Sequence, residues 1–180
     1  MLVAKKLRGQ NITAYVIYMF QVEDVIRAYG LDVDRIVAEY LPRFHYDEAQ
    51  TKEVAEWYGG LVRMMHEEGC ERAGHVQVVR NTILLMTDRH QELLHDAKQP
   101  FYSAAYYKAL PFIVEYRQKS KGEDALELQN CFDLLYSVML LRLQKREIGK
   151  ATQEAVAAVR HLIALLADAW QKEKAGELEL

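Results

Sequence analysis

The sequence contains few residues that interrupt helices, with three prolines and nine glycines among 180 residues. Valine and isoleucine do not alternate with polar residues, as they do in half-buried strands, but recur at helical spacing. This pattern predicts an all-α fold and gives almost no signal for β-strands.

Cysteine is also scarce, and the two that occur have different surroundings. Cys70 follows a glycine in an expected loop, whereas Cys131 lies on the apolar side of an expected helix. We therefore interpret both as free thiols.

Long apolar runs are missing, because no stretch approaches the roughly 18 residues that are needed to cross a bilayer. Near the start of the chain, Lys5, Lys6 and Arg8 stand where a secretory signal requires an apolar run. These two features predict a soluble cytoplasmic protein with no membrane partner.

An excess of basic residues is missing as well. The formal net charge is -3, so the chain offers no basic surface to phosphate backbones and we expect no nucleic-acid partner. A hydrophobic content of 51% with 27% charged residues is ordinary for a globular protein. A chain of 180 residues suits one core, which predicts a single helical domain over residues 1–180.

The residues that are present mark an irregular bundle of about seven helices. Asn11 and Asp32 are suited to cap helices, and Asp47 with Gln50 has the spacing of a capping box. Pro111 is expected to kink or split the fifth helix, and Gly122 to separate it from the sixth. The expected helices cover about 11–30, 32–42, 47–69, 75–97, 100–117, 123–147 and 152–174.

Three of these helices, the first, fourth and sixth, are apolar on more than one side. Such helices lie either at the centre of a layered bundle or against another chain, and the sequence leaves both open. The second alternative predicts a homodimer. Its candidate interface residues are Ile17, Phe20, Leu84, Leu85, Leu134 and Leu141.

Arg142 is the most distinctive polar residue, because it falls on an apolar stripe of the sixth helix. A buried guanidinium requires an acidic partner such as Glu23 or Asp24, unless the side chain extends past the end of the helix. A third alternative is an anion site. His90 lies in the apolar stripe of the fourth helix, so these four residues are the candidates for binding a small acidic ligand.

Other motifs indicate no further site. Glu92 and His95 have the spacing of a metal-binding pair, but the pair occurs once and on a solvated face, so we predict no metal and no cofactor. Residues 26–41 resemble a helix-turn-helix, yet the second helix would be mostly acidic, which disfavours DNA binding. Gly59 and Gly60 lack the lysine of a phosphate loop and indicate close helix packing or a local kink.

Three segments together resemble a known family: residues 19–27 (MFQVEDVIR), 104–115 (AAYYKALPFIVE) and 140–145 (LLRLQK). They are similar to a family of uncharacterised all-helical bacterial proteins that is catalogued as a domain of unknown function. The resemblance extends nearly from end to end, through residues 176–180. It implies a bacterial cytoplasmic protein and a helical fold, and it implies no activity, cofactor or site residue.

The sequence as a whole favours a binding or assembly protein over an enzyme. We expect it to self-associate through the second apolar faces of its helices. The alternative is a protein that binds a small acidic ligand, or an enzyme, with a pocket around Arg142.

Overall fold

The computed structural model describes residues 2–120 and 125–178, and within these ranges it contains α-helices and no β-strand. The predicted all-α class is confirmed. Gly122 and the expected start of the sixth helix at residue 123 lie outside the described residues. The helices are α1 (Leu2–Gln10), α2 (Ile12–Ala28), α3 (Val33–Arg35), α4 (Glu48–Glu67), α5 (Gln77–His95), α6 (Pro100–Ser120), α7 (Glu127–Leu143) and α8 (Lys150–Lys174).

Local signals in the sequence account for the starts of two helices, α3 and α4. The Asp47 carboxylate accepts a hydrogen bond from the Gln50 N–H at 2.8 Å, and the Gln50 side chain accepts one from the Asp47 N–H at 3.1 Å, so the capping box at α4 is confirmed. Asp32 caps α3 in the same way, through the N–H of Arg35. The sequence did not predict α1.

Pro111 lies inside α6 without ending it, so of the two expected alternatives, a kink or a split, the split is excluded. The side chain of Pro111 is exposed. The pyrrolidine ring therefore faces solvent, and α6 runs on through the proline to Ser120.

The described residues form two compact units. The first consists of Met1–Gly9 and Ala14–Asn81, and its core includes Val16, Ile26, Ile36 and Met65, each fully buried. The second consists of Gln10–Thr13 and Thr82–Leu180, in which α6, α7 and α8 pack against one another. That the chain folds as a single domain stays a prediction. Within the described residues, no helix is both long enough and apolar enough to span a membrane.

The backbone of the first unit is irregular between α3 and α4. A π-helical turn, Ile36–Tyr40, follows α3 directly, and a 3-10 turn, Leu41–Phe44, follows the π turn. His45 then adopts a left-handed conformation with φ of 52°. The segment that resembles a second DNA-binding helix thus has only three α-helical residues before the π turn, and Asp32, Asp34 and Glu39 are exposed on it.

Gly59 and Gly60 lie in the middle of α4, which continues past both. A Cβ atom built at Gly59 meets no described atom within 4 Å, and at Gly60 it meets only the flexible Arg63 side chain at 4.0 Å. Of the two alternatives, close helix packing therefore does not explain the two glycines in the described part of the chain.

We predict that Gly59→Ala and Gly60→Ala each stabilise the protein by about 1 kcal/mol, because alanine loses less backbone entropy than glycine in a helix interior. Urea denaturation followed by circular dichroism measures the change. Gly69→Ala is the matched control and should destabilise, since Gly69 has a φ of 66°. A loss of stability at Gly59 or Gly60 would restore the packing interpretation.

Candidate functional site

The four sequence-predicted ligand residues are divided between the two units. Glu23 and Asp24 lie on α2 in the first unit, and His90 and Arg142 lie on α5 and α7 in the second. Arg142 is exposed in the last turns of α7. This exposure agrees with the alternative in which the side chain extends past the end of the helix to solvent, which requires no acidic partner.

Glu23 holds the loop that leads into α5. Its side chain is fully buried, where one carboxylate oxygen accepts a hydrogen bond from the Val76 N–H at 2.9 Å and the other lies 2.5 Å from His75 Nδ1. The His75 ring also stacks on Phe20 with 3.9 Å between centroids. Glu23 is thus engaged within its own unit in positioning the chain.

Asp24 is engaged in the same region, at 3.1 Å from the Arg27 guanidinium. Arg27 also donates to the backbone carbonyls of Cys70, at 3.1 Å, and Gly74. Together with Glu23, Arg27 therefore ties the α4–α5 connection to α2.

His90 forms the centre of a buried polar cluster in the second unit. The ring is fully buried, with Nδ1 at 2.6 Å from the Tyr102 hydroxyl and Nε2 at 3.4 Å from a carboxylate oxygen of Glu127. The other oxygen of Glu127 lies 3.4 Å from the Tyr106 hydroxyl and 3.9 Å from Arg117. His90 is therefore a core histidine that two helices, α6 and α7, supply with polar neighbours.

The electrostatics of this cluster favour an ionised Glu127. The contact with His90 lowers the pKa of Glu127, with smaller contributions from Tyr106 and Arg117, and partial burial opposes them. Because the folded-state pKa lies below the ordinary value of about 4.3, Glu127 stabilises the fold above that pH and loses this contribution as the pH falls through the lowered pKa. Burial raises the pKa values of Tyr102 and Cys131, so both stay neutral at pH 7.

Two of the six candidate interface residues are exposed. Leu84 and Leu85 on α5 are 48% and 58% exposed, whereas Phe20 and Leu134 are buried and Ile17 and Leu141 are half-buried. Phe20 is covered within its own unit by the His75 ring. The structure therefore exposes two of the six candidate interface residues, and both lie on α5.

The first unit contains a pocket that the sequence analysis missed. It has a volume of about 200 Å³, and its walls come from α1, α2, the irregular segment 36–44 and α4. We call it the aromatic pocket. It is lined by Tyr18, Tyr40, Phe44, Tyr46, Trp57 and Tyr58, with Val3, Gln21, Val22, Leu41 and Val54 between the rings.

Successive rings of the aromatic pocket meet at steep angles. The Phe44 and Tyr40 rings make an angle of 67°, those of Tyr40 and Tyr58 an angle of 80°, and those of Tyr58 and Trp57 an angle of 70°. The centroid separations are 5.1, 6.4 and 5.2 Å. Phe44 also stacks on Tyr46 at an angle of 16°, with 5.5 Å between centroids. The rings therefore combine edge-to-face contacts with one stacked pair and do not form a single stack.

The aromatic pocket is polar only through neutral groups. Burial raises the pKa of Tyr18 to about 12 and raises the pKa values of Tyr40 and Tyr58, so these hydroxyls stay protonated at neutral pH. No charged residue lines the pocket within the described part of the chain. It is therefore suited to neutral or cationic groups and not to an anion.

A wider groove of about 360 Å³ lies among α6, α7 and α8 in the second unit, and Leu134, Leu141 and Lys119 are among its lining residues. Arg142 is not among them.

The metal-binding spacing of Glu92 and His95 is occupied by local contacts. Glu92 pairs with Arg89, and His95 contacts the Gln91 carbonyl at 2.7 Å. Among the described residues, no group of three or more potential ligands is placed to hold a metal ion.

The aromatic pocket had a signal in the sequence, since five of its six aromatic residues fall between residues 40 and 58. The helical pattern places Val54 and Tyr58, four residues apart, on one face of α4, and both are buried. It did not predict that the π turn brings Tyr40 and Phe44 to the same space.

Comparison with known proteins adds family membership to this picture. No curated protein and no solved structure matches the chain. A family model does match, over residues 1–177, and its description is a domain of unknown function. The near full-length resemblance that the sequence indicated is confirmed, and the chain belongs to the family described as Domain of unknown function (DUF4924).

Proposed function

We propose that this chain is a cytoplasmic binding protein whose small-molecule ligand occupies the aromatic pocket. The observation that carries the proposal is a pocket of about 200 Å³ with six aromatic side chains around it, all from one compact unit. Concave sites lined mainly by aromatic and apolar groups, with a few polar atoms, are where small ligands bind. Both cysteines are free thiols, which supports the location of the protein in a reducing compartment.

The backbone around the aromatic pocket supports the same proposal. Tyr40 ends a π-helical turn, and Leu41 and Phe44 bound the 3-10 turn that follows it. π-Helical turns are less stable than continuous α-helix and occur frequently at functional sites. His45, with its left-handed backbone, adds a second unfavourable conformation next to the pocket.

Filling the aromatic pocket tests this proposal. We expect Val54→Phe to reduce binding of small apolar or cationic probes at least about tenfold, because Val54 is a buried lining residue and a phenyl ring would occupy the space. The probes are choline and its uncharged analogue 3,3-dimethyl-1-butanol. A Trp170→Phe background leaves Trp57, which lines the pocket, as the single tryptophan, so its fluorescence reports binding.

The matched control is Val114→Phe, which places the same side chain on an exposed position of α6 in the second unit. This variant should bind the probes as the parent does. If neither probe binds the parent protein, or if Val54→Phe leaves binding unchanged, the aromatic pocket is not a ligand site.

Self-association is a second candidate function, favoured by the exposure of the adjacent leucines Leu84 and Leu85 on α5. We expect sedimentation velocity at micromolar concentration to detect a homodimer, and Leu84→Lys with Leu85→Lys to weaken it at least about tenfold. Phe101→Ser is the control, because Phe101 is a still more exposed apolar residue on α6, at 83%. A monomer at every concentration would exclude this candidate.

A further inference from the structure

We propose that the group bound in the aromatic pocket is a quaternary ammonium. This inference rests on the proposed function, since it names the chemical class of the ligand for the same pocket. It comes from the combination of ring geometry, pocket size and the neutral lining.

The ring geometry is that of an enclosure for a compact cation. Phe44, Tyr40, Tyr58 and Trp57 follow one another at angles of 67°, 80° and 70°. Rings at such angles can present their faces to a compact group from more than one side. The one nearly parallel pair among the lining rings, Phe44 and Tyr46, has centroids 5.5 Å apart, which leaves no room for a planar ligand between them. The faces of aromatic rings carry partial negative charge and attract cations that lie within about 6 Å of the ring centre.

The size of the aromatic pocket favours a small head group. Its volume of about 200 Å³ lies below the roughly 300–1,000 Å³ of pockets that enclose drug-sized molecules. A trimethylammonium group is compact and has no N–H, so it does not require the ordered acceptors that a primary ammonium needs on leaving water. The neutral tyrosine hydroxyls supply oxygen atoms for its polarised methyl groups without a buried carboxylate.

Arg43 shows that the aromatic rings at this pocket already attract positive charge. Its guanidinium carbon lies 5.6 Å from the centroid of Tyr40, although the arginine itself is exposed. The Tyr40 ring therefore contacts both an arginine and neighbouring aromatic rings. A cation in the pocket would be repelled by Arg43, whereas a neutral ligand would not.

The test compares two ligands of the same shape and different charge. Choline and 3,3-dimethyl-1-butanol differ in the replacement of the quaternary nitrogen by carbon. We expect choline to bind the Trp170→Phe protein at least about fivefold more tightly, from the usual strength of cation–aromatic attraction. Ethanolamine, which carries a primary ammonium, should bind more weakly than choline.

Two substitutions make the comparison specific. Tyr40→Leu should remove most of the preference for choline, and Tyr40→Phe should keep it, because phenylalanine retains the ring without the hydroxyl. Arg43→Gln should tighten choline binding about two- to fivefold and leave 3,3-dimethyl-1-butanol unchanged. Circular dichroism and thermal melting confirm that each variant is folded before its affinity is compared.

The outcomes separate this inference from the proposed function. If both ligands bind equally and Val54→Phe blocks both, the pocket binds small molecules but the quaternary ammonium class is wrong. If neither binds, the proposed function fails as well. Cosedimentation with phosphatidylcholine vesicles that free choline reverses would assign the head group to a lipid, and binding of free choline without cosedimentation would assign it to a solute. Both results support the class.

Discussion

Replacing Glu23 by alanine is expected to destabilise the protein by about 2–4 kcal/mol, because it removes a buried side chain that accepts hydrogen bonds and leaves a buried donor without a partner. The carboxylate is fully buried between the Val76 N–H and His75 Nδ1, so alanine would leave a backbone donor without its acceptor and release the ring that stacks on Phe20. Urea denaturation followed by circular dichroism and by Trp57 fluorescence in the Trp170→Phe background measures the loss.

Glu23→Gln is the informative companion variant. A glutamine oxygen still accepts from the Val76 N–H and its amide reaches His75, so we expect a loss of less than half that of alanine. Glu56→Ala removes an exposed glutamate from α4 and should change stability by no more than about 0.5 kcal/mol. If Glu23→Ala were as mild as Glu56→Ala, the carboxylate would not be what holds the start of α5.

The second large effect is expected at His90, where leucine should cost about 2–4 kcal/mol. Leucine is close in size to histidine, so the loss comes mainly from the Tyr102 hydroxyl, which is buried and lies 2.6 Å from His90 Nδ1. A double-mutant cycle in urea isolates this contribution.

The sign of the Tyr102→Phe effect is the decisive measurement in that cycle. In the parent protein the substitution should destabilise, because it removes the partner of His90. In the His90→Leu background it should stabilise, because it removes an unsatisfied buried hydroxyl. The same sign in both backgrounds would mean that His90 and Tyr102 do not depend on each other.

Local features of the fold were predictable from the sequence because they depend on residues close in the chain. The caps at Asp32 and Asp47 need only a side chain and a backbone N–H three residues away. The inward direction of Tyr58 follows from helical periodicity. In each case the physical cause lies within one or two helical turns.

The candidate sites depend on contacts between residues far apart in the chain, which helical periodicity does not reveal. Arg142 occupies an apolar stripe, but it comes near the end of α7, where no neighbour covers it and the guanidinium reaches solvent. His90 is a hydrogen-bonded core residue because it is buried and because the Tyr102 hydroxyl, on the next helix, lies beside its ring. The aromatic pocket required the π turn, which propensities of single residues do not indicate.

The π turn at Ile36–Tyr40 makes the number of residues in this segment as important as their identity. A π turn holds one more residue than an α turn. Relaxing this segment to α-helix at unchanged length would rotate the following side chains by about 100°. Leu41 and Phe44 would then leave the pocket wall with their chemistry unchanged. Deleting one residue along with that change would restore their direction, so an α-helical version of this segment should keep the pocket only if it is one residue shorter.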